Sequence, residues 1–96
     1  MTNDHDSSIK TLEQTHSFPG PFMFKVIGEN SPAFIAQVAQ AAVTVLGPRA
    51  APAVTTRESS GGRHLAVTMV VTVPDAESVL TIYAALAGLV GVTMVM

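Results

Sequence analysis

Cysteine and tryptophan are both absent from the 96 residues. Without a thiol there is no disulfide, no thiolate nucleophile, no iron–sulfur ligation and no cysteine-based zinc site. Charge is also scarce, at 12% of the chain, and five Lys and Arg against seven Asp and Glu leave a formal net charge of -2. No broad cationic surface exists to draw the chain onto a phosphate backbone. What the chain does have is apolar material, 48% of its residues, which excludes disorder throughout and suits one small domain.

The apolar material is unevenly spread. Met1, Ile9 and Leu12 are the apolar residues of positions 1–17, and the excess acid also lies there, with Asp4, Asp6 and Glu13 against Lys10. Such a segment has little to bury against the entropy of ordering it, so residues 1–17 are expected to be a mobile tail and residues 18–96 a single domain. The N-terminus lacks the basic start and the roughly 7–15-residue apolar run of a secretory signal, so a cytoplasmic location is the expectation.

From Phe22 the pattern alternates, with Phe22, Phe24 and Val26 on one side and Met23, Lys25 and Ile27 on the other. That period predicts a strand with one strongly apolar face, ended by Gly28. Ser31 and Pro32 then read as an N-cap and a first-turn proline. Phe34, Ile35, Val38, Ala39, Ala42, Val45 and Leu46 follow at helical spacing up to Gly47. Ala53–Glu58 alternates weakly and is expected to be an edge strand. Ser59-Ser60-Gly61-Gly62 signals a hairpin turn into a long strand, with Leu65, Val67, Met69, Val71 and Val73 on one face and Ala66, Thr68, Val70 and Thr72 on the other. Asp75 caps a second helix carrying Val79, Ile82, Tyr83, Leu86 and Val90, and alternation returns from Val92 to Met96.

The order strand, helix, strand, strand, helix, strand predicts an α+β fold. Right-handed crossovers would give the ferredoxin-like βαββαβ arrangement, a four-stranded antiparallel sheet with both helices on one face. The other face is then open and holds Met23, Lys25, Ile27, Ala66, Thr68, Val70, Thr72, Thr93 and Val95. A competing pattern sits at the C-terminus. Ser78–Met96 carries no charge and is long enough to cross a hydrocarbon core as one helix. Its glycines, its lack of flanking Lys or Arg, and the change of period near Gly91 argue against a membrane anchor.

No catalytic set is visible, so the chain is expected not to be an enzyme and to need no cofactor. His5, His16 and His64 share no helix or strand face, so no metal site is expected. Lys25 stands among apolar and uncharged neighbours on the open face, where its ammonium could meet a carboxylate. Gly28, Glu29, Asn30 and Ser31 join the first strand to the first helix, where free helical N–H groups and polar side chains can converge on a small anion or zwitterion. These five residues are the candidate ligand site.

Phe18-Pro19-Gly20-Pro21-Phe22-Met23-Phe24-Lys25-Val26-Ile27-Gly28 resembles the opening motif F-P-x-P-F-x-[FY]-K-V-x-G of the YbeD-like family of small bacterial proteins. The resemblance continues through Pro32, Gln37-Val38, Ser59-Ser60, Val67 and Met94-Val95. It implies a ferredoxin-like domain similar to the amino-acid-binding regulatory domains called ACT, with no established activity. Asn30-Ser31-Pro32-Ala33 is similar in shape to the D-x-P-G loop of ACT domains, without its acid or its final glycine.

The leading expectation is a non-catalytic regulatory or protein-interaction module. It would use Met23, Ile27, Thr68, Val70 and Val95 to bind a protein partner or a second copy of itself. The alternative is an ACT-like sensor of an amino acid or similar metabolite at Lys25 and the Gly28–Ser31 loop. RNA binding is not expected, because the central strands offer Met23, Ile27, Thr68 and Val70 where RNA-recognition sheets present aromatic rings.

Overall fold

A computed structural model describes residues 4–96. The elements are α1 (Asp4–Thr15), β1 (Gly20–Glu29), α2 (Pro32–Leu46), β2 (Ala53–Glu58), β3 (His64–Val73), α3 (Ala76–Ala87) and β4 (Val92–Val95). The four strands form one antiparallel sheet in the order β2-β3-β1-β4. With three helices this is a mixed α/β architecture.

Within the segment expected to be a mobile tail, Asp4–Thr15 form α1; residues 1–3 of that segment lie outside the described residues. The helix is held by few contacts. Ile9 and Leu12, three positions apart, are half-buried on one side, and Leu12 packs against the core. His5 Nε2 lies 2.8 Å from Glu77 Oε1 on α3. The His16 ring closes on Phe22 at a centroid distance of 4.8 Å. Composition argues from how many apolar residues a segment has, whereas docking one helical face needs only two at the right spacing.

Alternation in β1 and β3 sends Phe22, Phe24, Val26, Leu65, Val67, Met69, Val71 and Val73 to the same side of the sheet, where all are buried. Phe34, Val38, Ala41 and Ala42 of α2 and Val79, Ile82 and Leu86 of α3 complete that core. The rings of Phe24 and Tyr83 meet edge-on at 5.1 Å, and burial pushes the Tyr83 phenol above its ordinary range.

Capping positions the helices as their sequences require. The Ser31 hydroxyl accepts the Phe34 N–H at 3.2 Å with Pro32 in the first turn, and Gly47 at φ 102° ends the helix. The Asp75 carboxylate accepts the Ser78 N–H at 2.8 Å, and the hydrogen bonds from the Ser78 backbone and hydroxyl hold its pKa below the usual carboxylate range. Ser78–Met96 does not form a single helix: α3 stops at Ala87 and the chain turns into β4. Among the described residues no helix is long and apolar enough to cross a membrane.

β4 departs from simple alternation. Ile27 pairs with Met94 but Gly28 pairs with Val92, so Thr93 is an extra residue in the ladder. The bulge inverts the expected sides from Met94 on, while Val92 keeps its place against the core. Val95 pairs with Val26 and packs against the core, so it does not belong to the open face, whereas Met94 lies beside Ile27.

Candidate functional site

The side of the sheet away from α2 and α3 has no element across it among the described residues, since α1 packs on α3. Strand register arranges this face in rows. Ala53, Val70 and Met23 form one; Thr55, Thr68 and Lys25 form the next; Arg57, Ala66, Ile27 and Met94 form the third. Met96 extends the second row, because its backbone N–H donates to the Lys25 carbonyl at 2.8 Å. With strands about 4.8 Å apart and residues rising about 3.3 Å, four columns and three rows cover on the order of 400 Å² once side chains are included. Seven of the eleven residues in these rows are apolar, and exposed apolar patches of a few hundred Å² are often functional.

Methionine dominates the edge of this patch. Met23, Met94 and Met96 are 60%, 50% and 48% exposed, whereas Met69 on the other side of β3 is fully buried. A thioether on an unbranched stem reshapes itself to an incoming surface at little cost, which suits an exposed contact surface. Lys25 and Arg57 are cations within the rows, and neither has an ion pair among the described residues. The face therefore offers adaptable apolar area with two positive points.

Of the residues expected to form the partner surface, Met23, Ile27, Thr68 and Val70 are brought together on this face and Val95 is not. The expected ligand loop has a different local chemistry. Gly28 is buried under Phe34, so closely that an added Cβ would sit 2.3 Å from Phe34 Cζ. Asn30 Nδ2 donates to Glu58 Oε1 at 3.1 Å and to the Gly62 carbonyl at 2.8 Å, tying the loop to the β2–β3 turn. Ser31 Oγ is used as a cap, and the Ser31 N–H donates to the Glu29 carbonyl at 3.0 Å. Glu29 and Glu58 flank Asn30, so an incoming carboxylate meets two negative charges. Lys25 is four residues from Glu29 along β1, about 13 Å at strand rise, and is not part of the loop.

The histidines stand apart: His5 on Glu77, His16 on Phe22, and His64 paired with Glu29 at the end of the sheet. Among the described residues no three His, Asp or Glu side chains gather as metal ligands. A cleft of about 470 Å³ between α1 and α3 is lined by Ser7, Ser8, Thr11, Leu12, Leu80 and Tyr83. Sequence reasoning missed this cleft along with α1. It also missed Met94, Met96 and Arg57 on the open face. Arg57 was legible as the outward residue of a weakly alternating strand, but the bulge that turns Met94 outward is set by pairing and leaves no local signal.

A family model described as a protein of unknown function (DUF493) matches residues 13–96, from within α1 to the end of β4. The chain belongs to that family, the one whose opening motif Phe18–Gly28 resembles. No curated protein matches the chain.

Proposed function

We propose that this DUF493 chain is a non-catalytic, cytoplasmic interaction or regulatory module that binds a protein partner through its open sheet face. The observation that carries the proposal is the exposure of Met23, Met94 and Met96 around Lys25 on a face that no element covers among the described residues. We read its body as ferredoxin-like and similar to ACT domains, a reading the sheet order suits. Counted from the β4 edge the strand order is β4-β1-β3-β2, β1 and β3 are central, and α2 and α3 pack on the same side. A surface of this kind gains by burying thioether and aliphatic area while Lys25 and Arg57 orient the partner through its carboxylates.

Metabolite sensing at Gly28–Ser31 is the weaker proposal, because Asn30 Nδ2 and Ser31 Oγ are engaged within the chain and two carboxylates flank the loop. RNA binding has no support on this face, which has neither aromatic rings nor a cationic field.

The test is affinity capture from the native cell with the intact chain and with a Met23→Asp, Met94→Asp double variant. Both positions are exposed, so the variant is expected to keep its thermal midpoint while losing the captured partner. Retention of the same partner by the folded variant contradicts the proposal.

A further inference from the structure

The helical layer presents a second surface with different chemistry. α2 contains no charged residue, and α3 has only Glu77, in its first turn. The outward sides of surface helices ordinarily carry the charged residues of a domain. Here that side offers Gln37, Gln40, Thr44 and Thr81 between alanines. A groove of about 450 Å³ runs between the helices, lined among others by Gln37, Gln40, Ala85 and Val90. Val90 stands at its rim with 80% of its surface exposed, more than any other large apolar residue described.

We propose that this α2–α3 face pairs with the same face of a second copy of the chain. Three features select a copy over a different partner. In a two-fold interface each surface meets itself, so any net charge on it repels, and this face has none away from Glu77. The amides of Gln37 and Gln40 each donate and accept, so they can pair with their own kind across an axis, as a carboxylate or an ammonium cannot. The groove and the Val90 knob lie side by side, which lets each copy fill the groove of the other.

Area sets the strength. Helices of 15 and 12 residues are about 22 and 18 Å long, and with axes about 8–10 Å apart the layer covers at most roughly 400 Å² per copy, since α1 takes up part of the α3 side. The pair buries at most about 800 Å², below the ~1,200–2,000 Å² of stable interfaces. The dimer is therefore weak and concentration-dependent. It leaves the open sheet face of each copy free, so the proposal does not depend on the function proposed above.

Sedimentation equilibrium of the full chain up to about 1 mM tests it, with three variants at exposed positions: Val90→Asp, Gln40→Glu and, as a control, Met23→Asp. Circular dichroism verifies that each is folded, and Val90→Ala serves as a milder probe if Val90→Asp is not. The expected result is a monomer–dimer equilibrium weakened at least about tenfold by Val90→Asp and Gln40→Glu and unchanged by Met23→Asp. A wild-type monomer across the whole range overturns the proposal. So does a dimer that Met23→Asp dissolves, or one that survives both helix-face variants.

Discussion

Replacing Gly28 with alanine adds one methyl group at the tightest place in the molecule. The new Cβ would stand 2.3 Å from Phe34 Cζ, 2.7 Å from Phe34 Cε1 and 2.7 Å from the Gly91 carbonyl oxygen. Phe34 is 1% exposed and has no free space to retreat into, and the Gly91 carbonyl is backbone that accepts the Glu29 N–H at 3.0 Å. Overpacking of this kind costs about 1–3 kcal/mol. Replacing glycine also removes unfolded-chain freedom, which returns about 0.4–1 kcal/mol where the backbone is compatible. The net loss is about 1–2 kcal/mol, which for a domain of this size lowers the thermal midpoint by about 5–15 °C. Phe34→Leu alone is expected to cost about 1–2 kcal/mol through the space it leaves. The double variant is expected to cost less than the two singles added together, by up to about 1 kcal/mol, because the shorter side chain makes room for the methyl. Recovery stays partial, since the Gly91 carbonyl does not move. Urea and thermal unfolding followed by circular dichroism measure all three variants. A Gly28→Ala chain as stable as the wild type, or singles that simply add, refutes the steric account of this loop.

Two further outcomes follow from named contacts. The hydrogen bond to Glu77, then attraction to the same carboxylate, raises the His5 pKa above its ordinary 6.5. The contact is therefore at full strength below about pH 6.5, the unfolded value, and is lost as pH rises through the higher folded value. Amide exchange in α1 is expected to quicken on going from about pH 6 to about pH 8, beyond the intrinsic pH effect on exchange, and Glu77→Gln is expected to abolish that excess; an excess of equal size in Glu77→Gln contradicts the assignment. Asn30→Ala removes the side chain that joins the β1–α2 loop to the β2–β3 turn. It is expected to cost under about 1.5 kcal/mol while raising backbone mobility at Ser59–Arg63 in nitrogen-15 relaxation, and a turn that stays equally rigid contradicts the role given to Asn30.

How much was legible in the residues divides along a physical line. β1, α2, β3 and α3 each satisfy one periodicity over ten residues or more, and capping by Ser31 and Asp75 coincides with the helices, so local and tertiary preferences agree. β4 is different. It is short, it pairs with only part of β1, and a single extra residue at Thr93 reverses which of the side chains after it face the core. The place of Val95 and Met94 is therefore a property of strand pairing, not of the segment. α1 was hidden for another reason: its contacts at His5, Leu12 and His16 are few, and their partners, Glu77 and Phe22 among them, are known only once α3 and β1 are in place. Of the five residues expected on the open face as a partner surface, alternation placed Met23, Ile27, Thr68 and Val70 there correctly. The polar loop suggested a ligand because the hydrogen bonds that occupy the Asn30 amide, to Glu58 and Gly62, join segments far apart in the chain.

The most direct test of the open face as the binding surface is the methyl spectrum of the chain with carbon-13 label on its methionine ε-methyls, recorded before and after addition of clarified extract from the native cell. Met23, Met94 and Met96 report the face, and buried Met69 is the internal reference. Shift or broadening of the three exposed methyls with Met69 unchanged is the predicted result. No change in the three, or equal change in all four, contradicts the account.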